Sequence, residues 1–128
     1  MTHRRTSPTA ARAGLGAAAL ALAAVALACG SESQSSARDR ATTAVCNKLE
    51  SCGQLDAGQL YTSPDDCRVK QTDYWQGTWP PESCDGRIND TNLDRCITAI
   101  DQSQCGNGLD FLDIVLNKCT RDSVCDGM

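Results

Sequence analysis

The polar and apolar positions along the chain fall into three unlike stretches. Residues 13–28 (AGLGAAALALAAVALA) are an unbroken run of small and apolar side chains, behind a segment that carries Arg4, Arg5 and Arg12 and no acid. Residues 29–38 are mostly short and polar, with little to bury. From Asp39 the pattern turns periodic. Ala41, Val45, Leu49 and Cys52 recur at helical spacing and Gly53 stands where a C′ glycine ends a helix, which predicts a first helix over 39–52. Ser63-Pro64-Asp65-Asp66 reads as an N-cap serine, a first-turn proline and two acids at the positive end of the dipole. A second helix should run from there to about Gln76 and stop at Gly77. Trp79-Pro80-Pro81 predicts an irregular connection, with the Trp75 and Trp79 indoles covering the core. Leu93, Cys96, Ile97 and Ile100 stand at i, i+3, i+4 and i+7 and predict a third helix over 90–102. After the Gly106-Asn107-Gly108 turn, Leu109, Leu112, Val115 and Leu116 share one face of a fourth helix over 109–118, and residues 119–128 form a short pinned tail. The expected fold is all-α, a bundle of about four short helices over 39–128.

The first two stretches change the address rather than the fold. A basic segment followed by a 16-residue apolar run is the n-region and h-region of an export signal, and the run is short of the roughly 20 residues that a spanning helix needs. It ends in Ala26-Leu27-Ala28-Cys29, followed by Gly30-Ser31-Glu32-Ser33. Here the chain resembles bacterial lipoproteins, in which a signal peptidase cuts before a cysteine flanked by small residues and that cysteine receives acyl chains. It departs from that class in having Ala26, rather than the more usual leucine, three residues before the cysteine. The resemblance implies a signal peptide over 1–28, lipidation of Cys29, and a flexible tether over 29–38. Each buried methylene contributes about 0.8 kcal/mol, so two or three acyl chains hold lastingly where one holds reversibly.

Cysteine arithmetic agrees. The chain has nine cysteines, an odd number that assignment of Cys29 to lipid makes even. The other eight, Cys46, Cys52, Cys67, Cys84, Cys96, Cys105, Cys119 and Cys125, are spread evenly, as in the disulfide framework of a small exported domain. Four crosslinks at about 2–4 kcal/mol each would rival the about 5–15 kcal/mol net stability of a whole domain. Structural zinc sites place cysteines two to four residues apart, whereas the shortest gaps here have five intervening residues, so no metal or other cofactor is expected. Cys46 and Cys52 lie six apart, about 240° round a helix, and should not bond each other. Cys52 with Cys67, and Cys96 with Cys105, are within reach across short connections. The pairing of the other four stays open.

Charge and chemistry exclude more than they assign. Beyond residue 28 there are nine basic and sixteen acidic residues, a net charge of −7 with no Lys/Arg run, which argues against nucleic acid as a partner. The one histidine, His3, lies in the signal segment, leaving the domain no imidazole for proton transfer near neutral pH. Asp90, Asn92, Asp94 and Asp101 match oxygen positions of a calcium loop, but Arg95 occupies the glycine position and the same residues make a good helix start. Asp65-Asp66 and Asp110…Asp113 are paired carboxylates in expected first turns, where acids favour the dipole. No nucleophile elbow, phosphate loop or HExxH occurs, and no enzyme is expected.

Through Cys46-x5-Cys52-Gly53, the helix around Cys67 and Cys96-Ile97-x2-Ile100, the domain resembles the small cysteine-rich helical lipoproteins of myxobacteria. That resemblance implies no particular activity. Plant lipid-transfer proteins also set eight cysteines on four helices, but their adjacent Cys-Cys and Cys-x-Cys motifs are absent. The expectation is an envelope lipoprotein, held to a membrane by its lipid and facing an envelope protein partner, with the outer membrane the expected location. The alternative is a carrier of a small apolar ligand between its helices.

Overall fold

The computed structural model describes residues 32–125, so Cys29, the signal segment and the last three residues lie outside the described residues. The described chain is all-α: α1 (Gln34–Ser51), α2 (Pro64–Thr78), α3 (Pro81–Cys84), α4 (Asp90–Gln102), α5 (Gly108–Asn117) and α6 (Arg121–Val124). The expected four helices are α1, α2, α4 and α5; α3 and α6 are single turns at the ends of loops. The connection expected to be irregular after Trp79 thus contains α3, and the expected tail contains α6, whose end makes an isolated antiparallel bridge between Ile88 and Cys125.

Helix α1 starts five residues before the expected boundary, so 34–38 are helix rather than tether. Ser33 caps it, its hydroxyl accepting from the Ser36 N–H. Ala37, Ala41, Ala44 and Val45 form its buried stripe, and Gln34 is buried with its amide donating to the Trp79 carbonyl at 2.6 Å. The signal was weak because alanine and glutamine carry little hydropathy contrast; their burial depends on a neighbour met only in three dimensions. At the other end Gly53, with φ +65°, terminates the helix as expected.

Helix α2 is capped by Ser63, whose hydroxyl accepts from the Asp66 N–H at 3.1 Å. It passes through Gly77 and ends at Thr78, so proline and not glycine stops it. A residue before proline is pushed out of the helical region, and Trp79, before Pro80, has φ −118° and ψ 73°.

The core lies where α1 meets α2 and α4. The small side chains of α1 leave room for Trp75 and Trp79, both wholly buried and stacked at 4.5 Å between ring centroids. Leu93 and Ile100 from α4, Ile114 from α5, Ile88 and Val124 complete it. Among the described side chains of α5, Ile114 is buried and Phe111 and Val115 are partly buried, whereas Leu116, expected on the apolar face, is exposed. The side chains of Leu109 and Leu112 lie outside the described ones.

All eight expected cysteines are paired, as Cys46–Cys67, Cys52–Cys105, Cys84–Cys125 and Cys96–Cys119. Both expected pairings are therefore corrected: Cys52 does not meet Cys67, and Cys96 does not meet Cys105. Proximity in sequence lost to the facing of the helices. Cys46 points from α1 at α2 and finds Cys67, while Cys52, about 240° further round, is turned to the loop that carries Cys105. Cys96 faces the core from the middle of α4, where Cys119 arrives after α5.

Candidate functional site

Of the residues singled out in the sequence, the eight domain cysteines have structural partners and Cys29 lies outside the described residues. The calcium-like segment forms the start of α4. The Asn89 side chain accepts from the Asn92 N–H at 3.0 Å, and the Asn92 amide donates to the Ser123 carbonyl at 2.7 Å. Asp94 pairs with Arg40, and Asp101 is exposed, its carbonyl accepting from Lys48 Nζ at 2.9 Å. Among the described residues no group of three His, Cys, Asp or Glu is placed to hold a metal.

Of the paired acids, the Asp110 side chain lies outside the described ones, and the others have local partners. Asp65 meets Arg68 at 3.2 Å, and Asp113 accepts from the Asn117 side chain at 2.6 Å. The Asp66 carboxylate accepts from the Thr62 N–H at 3.0 Å and from Lys70 Nζ at 2.9 Å. These hold its pKa below the ordinary value, the Thr62 backbone hydrogen bond contributing most and Lys70 next. Arg40, between Asp94 and Glu32, is held charged more firmly than a free guanidinium, chiefly by the hydrogen bond to Asp94.

The feature that sequence reasoning missed is a cleft of about 380 Å³ where the 52–61 loop meets the 103–107 loop. The Cys52–Cys105 bridge joins the two loops and so builds it. Leu49, Leu60, Tyr61 and Phe111 supply apolar surface, and Gln54, Gln59, Gln104 and Asn107 supply amides. Lys48 also lines it, with its ammonium donating to the Asp101 carbonyl. Tyr61 is fixed in place, since its hydroxyl accepts from Gln71 Nε2 at 2.7 Å and Lys70 Nζ lies 5.7 Å from its ring centre. Leu60, by contrast, is 77% exposed. A larger depression of about 680 Å³ along α1 and α4 is open to solvent and lined by Ser35, Asp39, Arg40 and Asn47, the ordinary polar outer face of a helix pair. The cleft offers apolar contact ringed by amide groups, with the Ser103 hydroxyl, which donates to the Ile100 carbonyl at 2.7 Å, also in its lining.

A weak composition signal for it existed, the Gln/Leu/Tyr run of 54–61, but nothing in the sequence joined that run to residues 103–111 once Cys52 was paired with Cys67. Residues 46–127 match a family of unknown function (DUF6184). This chain belongs to the DUF6184 family. The DUF6184 match opens at the first domain cysteine and runs past the last, so it takes in every one of the four bridges and both loops of the cleft. No curated protein and no solved structure matches the chain.

Proposed function

We propose that this chain is a membrane-anchored envelope lipoprotein whose disulfide-rich helical module serves binding or structural contact without catalysis. The observation that carries the reading is the parity of sulfur. Of nine cysteines, eight are joined in pairs within the domain, and the one left over is Cys29, behind an apolar run and small residues. Four bridges in so short a domain also fit an oxidising compartment, and outer-membrane attachment in the manner of the myxobacterial lipoproteins is part of the same proposal. Intact mass of the membrane-extracted protein tests it. Acyl adducts on Cys29 with no alkylatable thiol are expected, and Cys29→Ser should move the protein to the soluble fraction. An unacylated, soluble wild type would sink the reading.

A second reading is favoured by the cleft. A small apolar ligand would sit at the surface between the two loops, since Trp75 and Trp79 fill the space between the helices. Native mass spectrometry of the purified protein should then show a copurified small molecule that is lost on Leu49→Asp. A bare protein mass would leave the module as a contact surface alone.

A further inference from the structure

Resting on the lipid anchor at Cys29 proposed above, we infer that the module stands on the bilayer on one pole and presents its cleft away from the lipid. The pole consists of the start of α1, α3 and residues 85–90.

The reach of the chain carries this inference. Glu32 is already held to the domain, its carboxylate accepting from Ser36 Oγ and Arg40 Nη1, each at 2.6 Å. Two residues further on, the Gln34 N–H donates to Asp85 at 3.2 Å and the Gln34 side chain to the Trp79 carbonyl. Only Gly30 and Ser31 separate Glu32 from Cys29. Even at full extension that places the acylated residue within about 10 Å of Glu32. Helix α1 then leads away from this pole for 18 residues, about 27 Å, and ends at Leu49 and Cys52 in the cleft. The anchor therefore cannot reach the cleft end.

The sides of the module give lipid little to hold. The outer face of α1 is polar from Ser35 to Glu50, and its exposed cation, Arg40, is held by Glu32 and Asp94. On α2 the exposed Val69 and Tyr74 are interrupted by the exposed Lys70 and Asp73, and on α5 the exposed Leu116 stands beside the exposed Asn117. The pole itself exposes Glu82, Asp85, Arg87 and Asp90, and Arg40 beside it is paired with Glu32 and Asp94. Such a surface lacks the clustered positive charge that draws a protein onto an anionic leaflet, and it fits a zwitterionic headgroup layer approached under the pull of the acyl chains alone.

Paramagnetic relaxation in NMR tests the orientation on the acylated protein, confirmed by intact mass, in nanodiscs of zwitterionic phospholipid doped with a gadolinium-chelating headgroup. Amide signals of residues 82–90 should lose most of their intensity, while those of 54–61 and 103–107 keep theirs. Insertion of a 20-residue Gly/Ser segment between Ser31 and Glu32 should abolish the contrast, because such a linker has a root-mean-square reach of about 25 Å. Uniform broadening, or stronger broadening at the cleft, in the uninserted protein overturns the inference and leaves the lipoprotein reading intact. A contrast that survives the insertion overturns the tether as its cause. Absence of acyl mass on Cys29 removes the anchor reading and the orientation with it.

Discussion

Single side chains in this domain differ most in whether their buried polar atoms are matched. The Trp79 indole N–H donates to the Cys119 carbonyl at 3.0 Å inside the core. Trp79→Phe removes that donor and strands the carbonyl, so a loss of about 1–3 kcal/mol is expected in denaturant unfolding. The Thr42 hydroxyl is the opposite case, buried between helices with no hydrogen-bond partner among the described residues. Thr42→Val keeps the shape and removes the mismatch, and the same unfolding measurement should show a gain of about 1 kcal/mol. Asp66 sets a pH dependence. A carboxyl whose folded pKa lies below its unfolded value stabilises the fold above the unfolded value, here 3.8, and loses that contribution as pH falls through the lowered folded value. The stability difference between wild type and Asp66→Asn should therefore be constant from neutral pH to about pH 5 and shrink below 3.8. A difference that grows on acidification would contradict this assignment.

At the scale of elements, capping residues read directly from the sequence, while burial against a neighbour did not. Ser63 and Pro64 open α2 where local chemistry alone places them, and Asp90 to Gln102 is α4 with both expected bounds. The start of α1 was hidden because Ser33, Gln34 and Ser35 look like tether, and only Trp79 and Asp85, some 50 positions on, make Gln34 worth burying. Leu116 shows the converse, an apolar residue at a plausible helix position that the packing leaves exposed. Bridges follow the same logic. In three of them at least one sulfur-bearing residue is wholly buried, whereas Cys52 is partly exposed and Cys105 exposed. Thiol access controls exchange, so mild reductant followed by alkylation and peptide mapping should label Cys52 and Cys105 first. Initial labelling of Cys96 and Cys119 would show that the core opens before the cleft.

For the molecule as a whole, the bridges tie every helix-bearing segment to another. Cys46–Cys67 joins α1 to α2, Cys96–Cys119 joins α4 to the chain after α5, and Cys84–Cys125 joins α3 to the end of α6. Cys52–Cys105 closes the longest loop, with a sequence separation of 53, and holds the cleft. Together, at about 2–4 kcal/mol each, they are comparable with the entire net stability of a domain. Full reduction and alkylation at neutral pH should accordingly abolish most of the helical circular dichroism, and retention of the native spectrum would mean that the apolar core suffices alone.

The class of fold, three helix starts, the cysteine framework and the leftover Cys29 were determined by the sequence, because caps, periodicity and residue parity act over a few positions or by counting. Partner choice among the cysteines, the extension of α1, the exposure of Leu116 and the cleft were decided only by the tertiary structure. Each depends on which way a side chain faces once helices pack, and a rotation of 100° per residue carries that direction out of reach of linear proximity.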